Sequence, residues 1–124
     1  MKKLTDHFHE KEFACKCGAC DSIGVLKKSF IAKLELARVE AGVSFHITSG
    51  VRCRAYNATK HIGGVASSAH VKGNAGDIST PDSRTKFKVI KALLSVGFKR
   101  IGIGSNFVHV DNDQSKDQQV IWVY

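Results

Sequence analysis

The run Phe107-Val108-His109-Val110-Asp111 alternates strictly between residue kinds, and its reading decides the fold. Side chains at i and i+2 of a strand share a face. Phe107, His109 and Asp111 therefore point one way, and Val108 and Val110 the other. One face is core and the other carries chemistry. The matching piece lies upstream in Ser68-Ala69-His70-Val71-Lys72-Gly73-Asn74-Ala75-Gly76-Asp77. Asp77 opens the run Asp77-Ile78-Ser79-Thr80, read as a second short strand, with His70 on the loop or helix end before it. Gly73 and Gly76 allow a tight bend between the two. Two histidines and a carboxylate are the ligand set of a catalytic zinc, which takes three protein ligands and leaves its fourth position to water. Such an ion brings the pKa of its water to about 7. His70, Asp77 and His109 are the candidate metal ligands, and a small zinc hydrolase is the simplest reading.

Working outward, the chain reads as α+β: a small antiparallel sheet backed by helices, with the zinc site on the sheet face. Leu26, Phe30, Leu34 and Ala37 recur at helical spacing, which predicts a helix from Gly24 to Ala41 stopped by Gly42. Ser44 to Thr48 reads as a strand, with Phe45 and Ile47 on one side and His46 on the other. A short helix is expected from Tyr56 to His61, ended by Gly63 and Gly64. Thr80 is the expected cap of another helix, with Pro81 and Asp82 suited to its first turn. That helix runs to about Val96, burying Phe87, Ile90 and Leu94, and stops at Gly97. Short strands are expected at 100–104, 107–111 and 120–123.

Composition agrees with one catalytic domain spanning residues 1–124. Hydrophobic content is 43%, there is one Pro, and the chain has no repeat or low-complexity tract. Lys2 and Lys3 are not followed by an apolar segment, and nothing approaches a membrane-spanning length. The expectation is a protein made in the cytoplasm without a signal peptide, with no membrane association, acting as a monomer. The net charge of +8 attracts polyanions by long-range steering. The anionic bacterial envelope ranks first as the target, a merely solubilising surface second and nucleic acid third. No element interleaves the charge with aromatics, so nucleic acid is not expected.

Four cysteines occur, Cys15, Cys17, Cys20 and Cys53. A triplet plus a distant single matches the paired spacing of structural zinc only weakly. Reduced thiols are the favoured reading, and a second, structural zinc completed by Cys53 is the alternative.

The pattern S-x-H-x-x-G-x-A-x-D followed by H-x-D resembles the M15 group of zinc peptidases. These are D-alanyl-D-alanine carboxypeptidases and the L-alanyl-D-glutamate endopeptidases of phage endolysins. The segment from His7 to Gly18 is similar to that group's N-terminal segment. Ser49-Gly50-Val51-Arg52-Cys53-Arg54-Ala55-Tyr56-Asn57 resembles its S-G-x-R-C-x-x-Y-N element. Gly102 and Gly104 before His109, and Trp122 near the end, also fit. The resemblance covers nearly the whole chain and leaves no residues for a separate wall-binding module. It implies one catalytic zinc and a peptide bond of the peptidoglycan stem as substrate, cut by a phage or prophage lysis enzyme that reaches the wall after release. Arg52 then binds a substrate carboxylate or steadies an oxyanion. Ser68 either contacts substrate or holds the His70 loop. Many relatives place a catalytic carboxylate three residues before the last histidine, where this chain has Asn106. Asp111 shares the face of His109 and is the expected general base, with orientation of His109 as its other reading. His7, His9, His46 and His61 are expected to be non-ligands. An inactive zinc-containing wall-binding module and, behind it, a basic nucleic-acid-binding protein are the alternative functions.

Overall fold

Five strands form one sheet in the order β1-β2-β4-β3-β5. They are β1 (Ile47–Ser49), β2 (Ala75–Ser79), β3 (Arg100–Ile103), β4 (Phe107–Asp111) and β5 (Val120–Val123). All neighbours are antiparallel except β3 and β5, which run parallel. The computed structural model describes residues 2–18, 20, 22–59 and 68–124. Four helices accompany the sheet among these residues: α1 (Glu10–Phe13), α2 (Lys28–Ala41), α3 (Arg54–Asn57) and α4 (Ser83–Ser95). This is the expected α+β architecture. No described helix is long and apolar enough to cross a membrane.

The strand alternation divides the sheet as expected. Ile78, Ile101, Val108 and Val110 are fully buried in the core together with Phe30, Leu34, Val89 and Leu93 from α2 and α4. The opposite face carries Asp77, His109 and Asp111.

Several boundaries differ from the periodic reading, each for a local reason. The α2 helix starts at Lys28, and Ser22–Val25 is a separate 3-10 turn. Between them, the Lys27 N–H donates to the Gly73 carbonyl at 2.9 Å, a tertiary bond that takes the backbone out of the helix. Gly42 closes α2 in the left-handed region at φ 69°. The first strand covers only Ile47–Ser49. Gly76 lies inside β2 and makes no bend; the turn spans residues 69–73, with Gly73 at φ +77°. A Cβ on Gly73 would stand 2.1 Å from the Val25 carbonyl oxygen. The helix expected over 56–61 overlaps α3 only at Tyr56 and Asn57; Lys60, His61, Gly63 and Gly64 lie outside the described residues.

The fourth helix is capped by Asp82, not Thr80: the Asp82 carboxylate accepts the Thr85 N–H at 2.7 Å. Its buried stripe is Val89, Ala92 and Leu93. Phe87 and Leu94, expected inside, are 66% and 46% exposed, and Ile90 is only partly buried. Two apolar stripes one residue apart run along this helix, and periodicity alone does not choose between them. Packing against α2 selects the stripe containing the small Ala92, opposite a helix that itself buries Ala37. Leu93→Ala should therefore lower stability by about 2–5 kcal/mol in urea unfolding. Phe87→Ala should stay within about 0.5 kcal/mol. The reverse ranking would place the other stripe in the core.

Candidate metal centre

The sheet register aligns Ser49, Asp77, His109, Gly102 and Trp122 as successive Cα partners across all the strands. Antiparallel pairing of β2 with β4 sets Asp77 directly opposite His109. Gly102 is the gap in this row. A Cβ there would lie 2.7 Å from the Tyr124 ring and 2.8 Å from the Trp122 ring. Its absence lets the indole fold over β3, with its centroid 5.6 Å from that of His109.

His70 reaches the row from the turn before β2. Its backbone N–H donates to the Ser68 hydroxyl at 3.2 Å, and its Nδ1–H donates to the Gly50 carbonyl at 2.6 Å. That bond assigns the tautomer and leaves Nε2 facing Asp77 Oδ1 at 3.3 Å. His109 is held the other way round. Its Nε2–H donates to Asp111 Oδ2 at 2.7 Å, and its Nδ1 faces the same Asp77 Oδ1 at 2.9 Å. Nε2 of His70, Nδ1 of His109 and a carboxylate oxygen of Asp77 thus converge, all within 4.8 Å of one another. Ligands on a tetrahedral zinc with bonds near 2.1 Å are about 3.4 Å apart. The donor set and its spacing fit that ion. Each histidine also has its second nitrogen held by an acceptor, the arrangement that orients metal-bound imidazoles.

A model of the peptidase M15 family matches residues 6–111, a span that includes all three of these ligands. The chain belongs to the peptidase M15 family. No curated protein matches it. M15 peptidases are zinc-dependent metallopeptidases, which agrees with the donor set found here.

Electrostatics at this M15 centre are set by burial and compensation. Burial pushes the Asp77 carboxyl up, but hydrogen bonds and charge from His109 and His70 outweigh it and hold it well below the usual carboxylate range. Burial pushes His109 down, and hydrogen bonds to Asp111 and Asp77 reverse this, leaving its pKa raised. The Asp111 carboxyl is likewise lowered, because His109, the Asp113 N–H and Arg100 overcome desolvation. Burial and the charges of Asp77 and Asp111 raise the Tyr124 hydroxyl.

Asp111, expected as general base or as the group that orients His109, is engaged at both carboxylate oxygens. Its side chain is 2% exposed. Oδ2 accepts from His109, and Oδ1 accepts from Arg100 Nε at 2.8 Å and from the Asp113 N–H at 3.1 Å. It stands behind the imidazole, across the ring from the converging donors. Asn106 is exposed and lies in the turn before β4, outside the row. The Ser68 hydroxyl supports the His70 loop, one of its two expected roles.

Arg52 joins the site. Its Nε donates to Ser49 Oγ and its Nη1 to Asn57 Oδ1, both at 3.2 Å, and Nη2 lies 3.5 Å from Asp77 Oδ2. Arg54 is exposed. His9 caps α1 in a reciprocal box with Glu12, His7 pairs with Glu35, and His46 is exposed. His61 lies outside the described residues. Residue-type patterns missed Arg100. Its Nη1 also donates to the Asp117 carbonyl at 2.7 Å, and its guanidinium stacks 4.9 Å above the Trp122 ring. Its only sequence signal is strand parity with Gly102. The four cysteines, favoured above as ordinary thiols, also form a cluster.

Asp113 braces the site from outside. Its carboxylate accepts from Lys72 Nζ at 2.9 Å and from the Ser115 hydroxyl at 2.7 Å, tying the His70 turn to the end of β4. Burial raises this carboxyl, but the bonds from Ser115 and Lys72 drive it well below its usual value. A lowered folded pKa means stability that is present above the unfolded value of about 3.9 and lost as pH falls through the folded one. Asp113→Asn should cost about 1–3 kcal/mol at neutral pH. The gap from wild type should narrow in strong acid. A gap independent of pH would show that the charge of Asp113 contributes nothing.

Proposed function

We propose that this M15 peptidase hydrolyses a peptide bond in the stem peptide of bacterial peptidoglycan, as a lysis enzyme of a phage or prophage. The observation that carries the reading is the convergence of His70 Nε2, Asp77 Oδ1 and His109 Nδ1 beside a fixed arginine, in a chain of this family. Zinc bound by these three residues supplies a Lewis acid and an activated water.

The chain's own groups do the rest. Arg52 is held at two nitrogens by Ser49 and Asn57, so its charge is placed before substrate arrives. A guanidinium so fixed suits a substrate carboxylate or a developing oxyanion, and stem peptides carry carboxylates. Asp111 is a positioning residue: it fixes the His109 ring so that Nδ1 faces the site, and Arg100 fixes Asp111 in turn. The basic surface favours encounter with an anionic wall, with attraction falling as salt rises.

Mass spectrometry of muropeptides after digestion tests the reading. New stem-peptide ends should appear with the purified protein, vanish with a chelator and be absent with His70→Ala. Zinc retained with no bond cut in any wall preparation would overturn the peptidase assignment in favour of a wall-binding module.

Asp111→Asn separates orientation from proton transfer. A positioning role predicts zinc affinity lowered by roughly 10–100-fold, with most of the turnover restored by added zinc. A loss of about 10²–10⁴-fold persisting at saturating zinc would return Asp111 to the base role.

A further inference from the structure

The fold brings together a second group of metal-binding side chains, with no residue in common with the first. The Sγ atoms of Cys15, Cys17, Cys20 and Cys53 all lie within 4.8 Å of one another. Cys17 and Cys20 are 3.4 Å apart at sulfur, and Cys17 and Cys53 are 4.0 Å apart. Four sulfurs on one tetrahedral zinc, with bonds near 2.3 Å, sit about 3.8 Å from each other. A covalent sulfur pair would be near 2.05 Å. We propose that these four cysteines form a closed, tetrahedral, four-thiolate zinc site that ties the N-terminal segment to the segment carrying Arg52.

The backbone sets the cage independently of the sulfurs. The Val51 N–H donates to the Phe13 carbonyl at 2.8 Å. A Cβ on Gly50 would stand 2.6 Å from the Phe13 Cα, so only glycine permits this approach. With 13 and 51 side by side, Cys15 and Cys53 are brought to the same place. Cys17 and Cys20 have C-x-x-C spacing in the sequence, and Gly18 lies in the left-handed region at φ 70°. That spacing is common in structural zinc sites.

Two backbone donors are aimed at sulfur. The Cys53 N–H donates to Cys15 Sγ at 3.3 Å, and the Tyr56 N–H donates to Cys53 Sγ at 3.4 Å. Backbone N–H donors of this kind orient the sulfurs of a metal cage. Four thiolates on a dication leave a net negative charge, and Lys16, Arg52 and Arg54 adjoin the ligands in sequence. All-sulfur tetrahedral sites select zinc or iron. The spacing suits one ion, not a cluster with inorganic sulfide between its irons. Zinc has no geometric preference of its own and adopts the cage as built. With four protein ligands no position remains for water, so the role is structural. Cys53 adjoins Arg52, so the ion would fix the backbone from which the guanidinium reaches Asp77.

Metal content read on the full chain, purified under reducing conditions, tests the site without reference to turnover. The wild type should hold about two zinc ions per chain, and Cys17→Ser/Cys20→Ser about one, as should His70→Ala/His109→Ala. Cobalt loading of the wild type should give the intense near-ultraviolet thiolate-to-cobalt band. That band should survive in the histidine variant and be lost in the cysteine variant. The cobalt spectrum of the wild type keeps the test valid if the cysteine variant fails to fold. About one zinc per chain with no thiolate band, iron in place of zinc, or an intact mass showing disulfides in the reduced preparation would each overturn the proposal.

Discussion

Asp77 is a carboxylate in the middle of a strand, largely withdrawn from water, and the site is organised around the charge that position forces on its neighbours. A buried ion that lacks partners costs several kcal/mol, and a carboxyl so placed would take a proton. Asp77 instead stays ionised because two imidazoles and a guanidinium surround it. They come from a turn, a neighbouring strand and the segment after β1. Arg52 and His109 are distant from Asp77 in sequence, so its full compensation exists only once the sheet has formed. The same convergence makes a cation site: a dication there would meet one carboxylate oxygen and one nitrogen of each imidazole.

The two histidines present different nitrogens because different acceptors hold them from behind. His70 donates to a neutral carbonyl, whereas His109 donates to a carboxylate. A carboxylate partner makes an imidazole the more basic ligand. Arg100 limits that effect by sharing the Asp111 charge, and Arg100 is itself fixed by the Asp117 carbonyl and the Trp122 face. The aromatic end of the chain therefore acts on the metal ligands through a salt bridge. Gly102 is the condition for this, since any side chain there would displace the indole.

Period-two alternation made β4 legible, and with it the division of the sheet into a core face and a site face. The three residues that could hold a metal were legible because their residue types and intervening turn suit that chemistry. What remained hidden depends on register and on helix phase. Asp111 shares a face with His109 on any reading, but only the placement of Arg100 and the Asp113 N–H shows that both its oxygens are taken. The buried stripe of α4 could not be chosen because Val89 and Leu93 adjoin Ile90 and Leu94, each set with helical spacing. The cysteine cluster was obscured because its decisive step, Phe13 against Gly50 and Val51, is a contact between distant segments.

The segment from Ser49 to Asn57 gives the family-like element S-G-x-R-C-x-x-Y-N a physical reading residue by residue. Ser49 pairs with Asp77 across the sheet and accepts from Arg52. Gly50 supplies the carbonyl that sets the His70 tautomer, and its missing side chain admits Phe13. The Arg52 N–H donates to the His70 carbonyl while its guanidinium reaches Asp77. Cys53 caps α3 and receives the Tyr56 N–H, and Asn57 accepts from Arg52. Arg54 and Ala55 are exposed. Backbone and side-chain demands thus coincide at six positions of one short segment. A shift there moves the His70 acceptor and the arginine together, which is why so many residue types are specified around the one guanidinium that reaches Asp77.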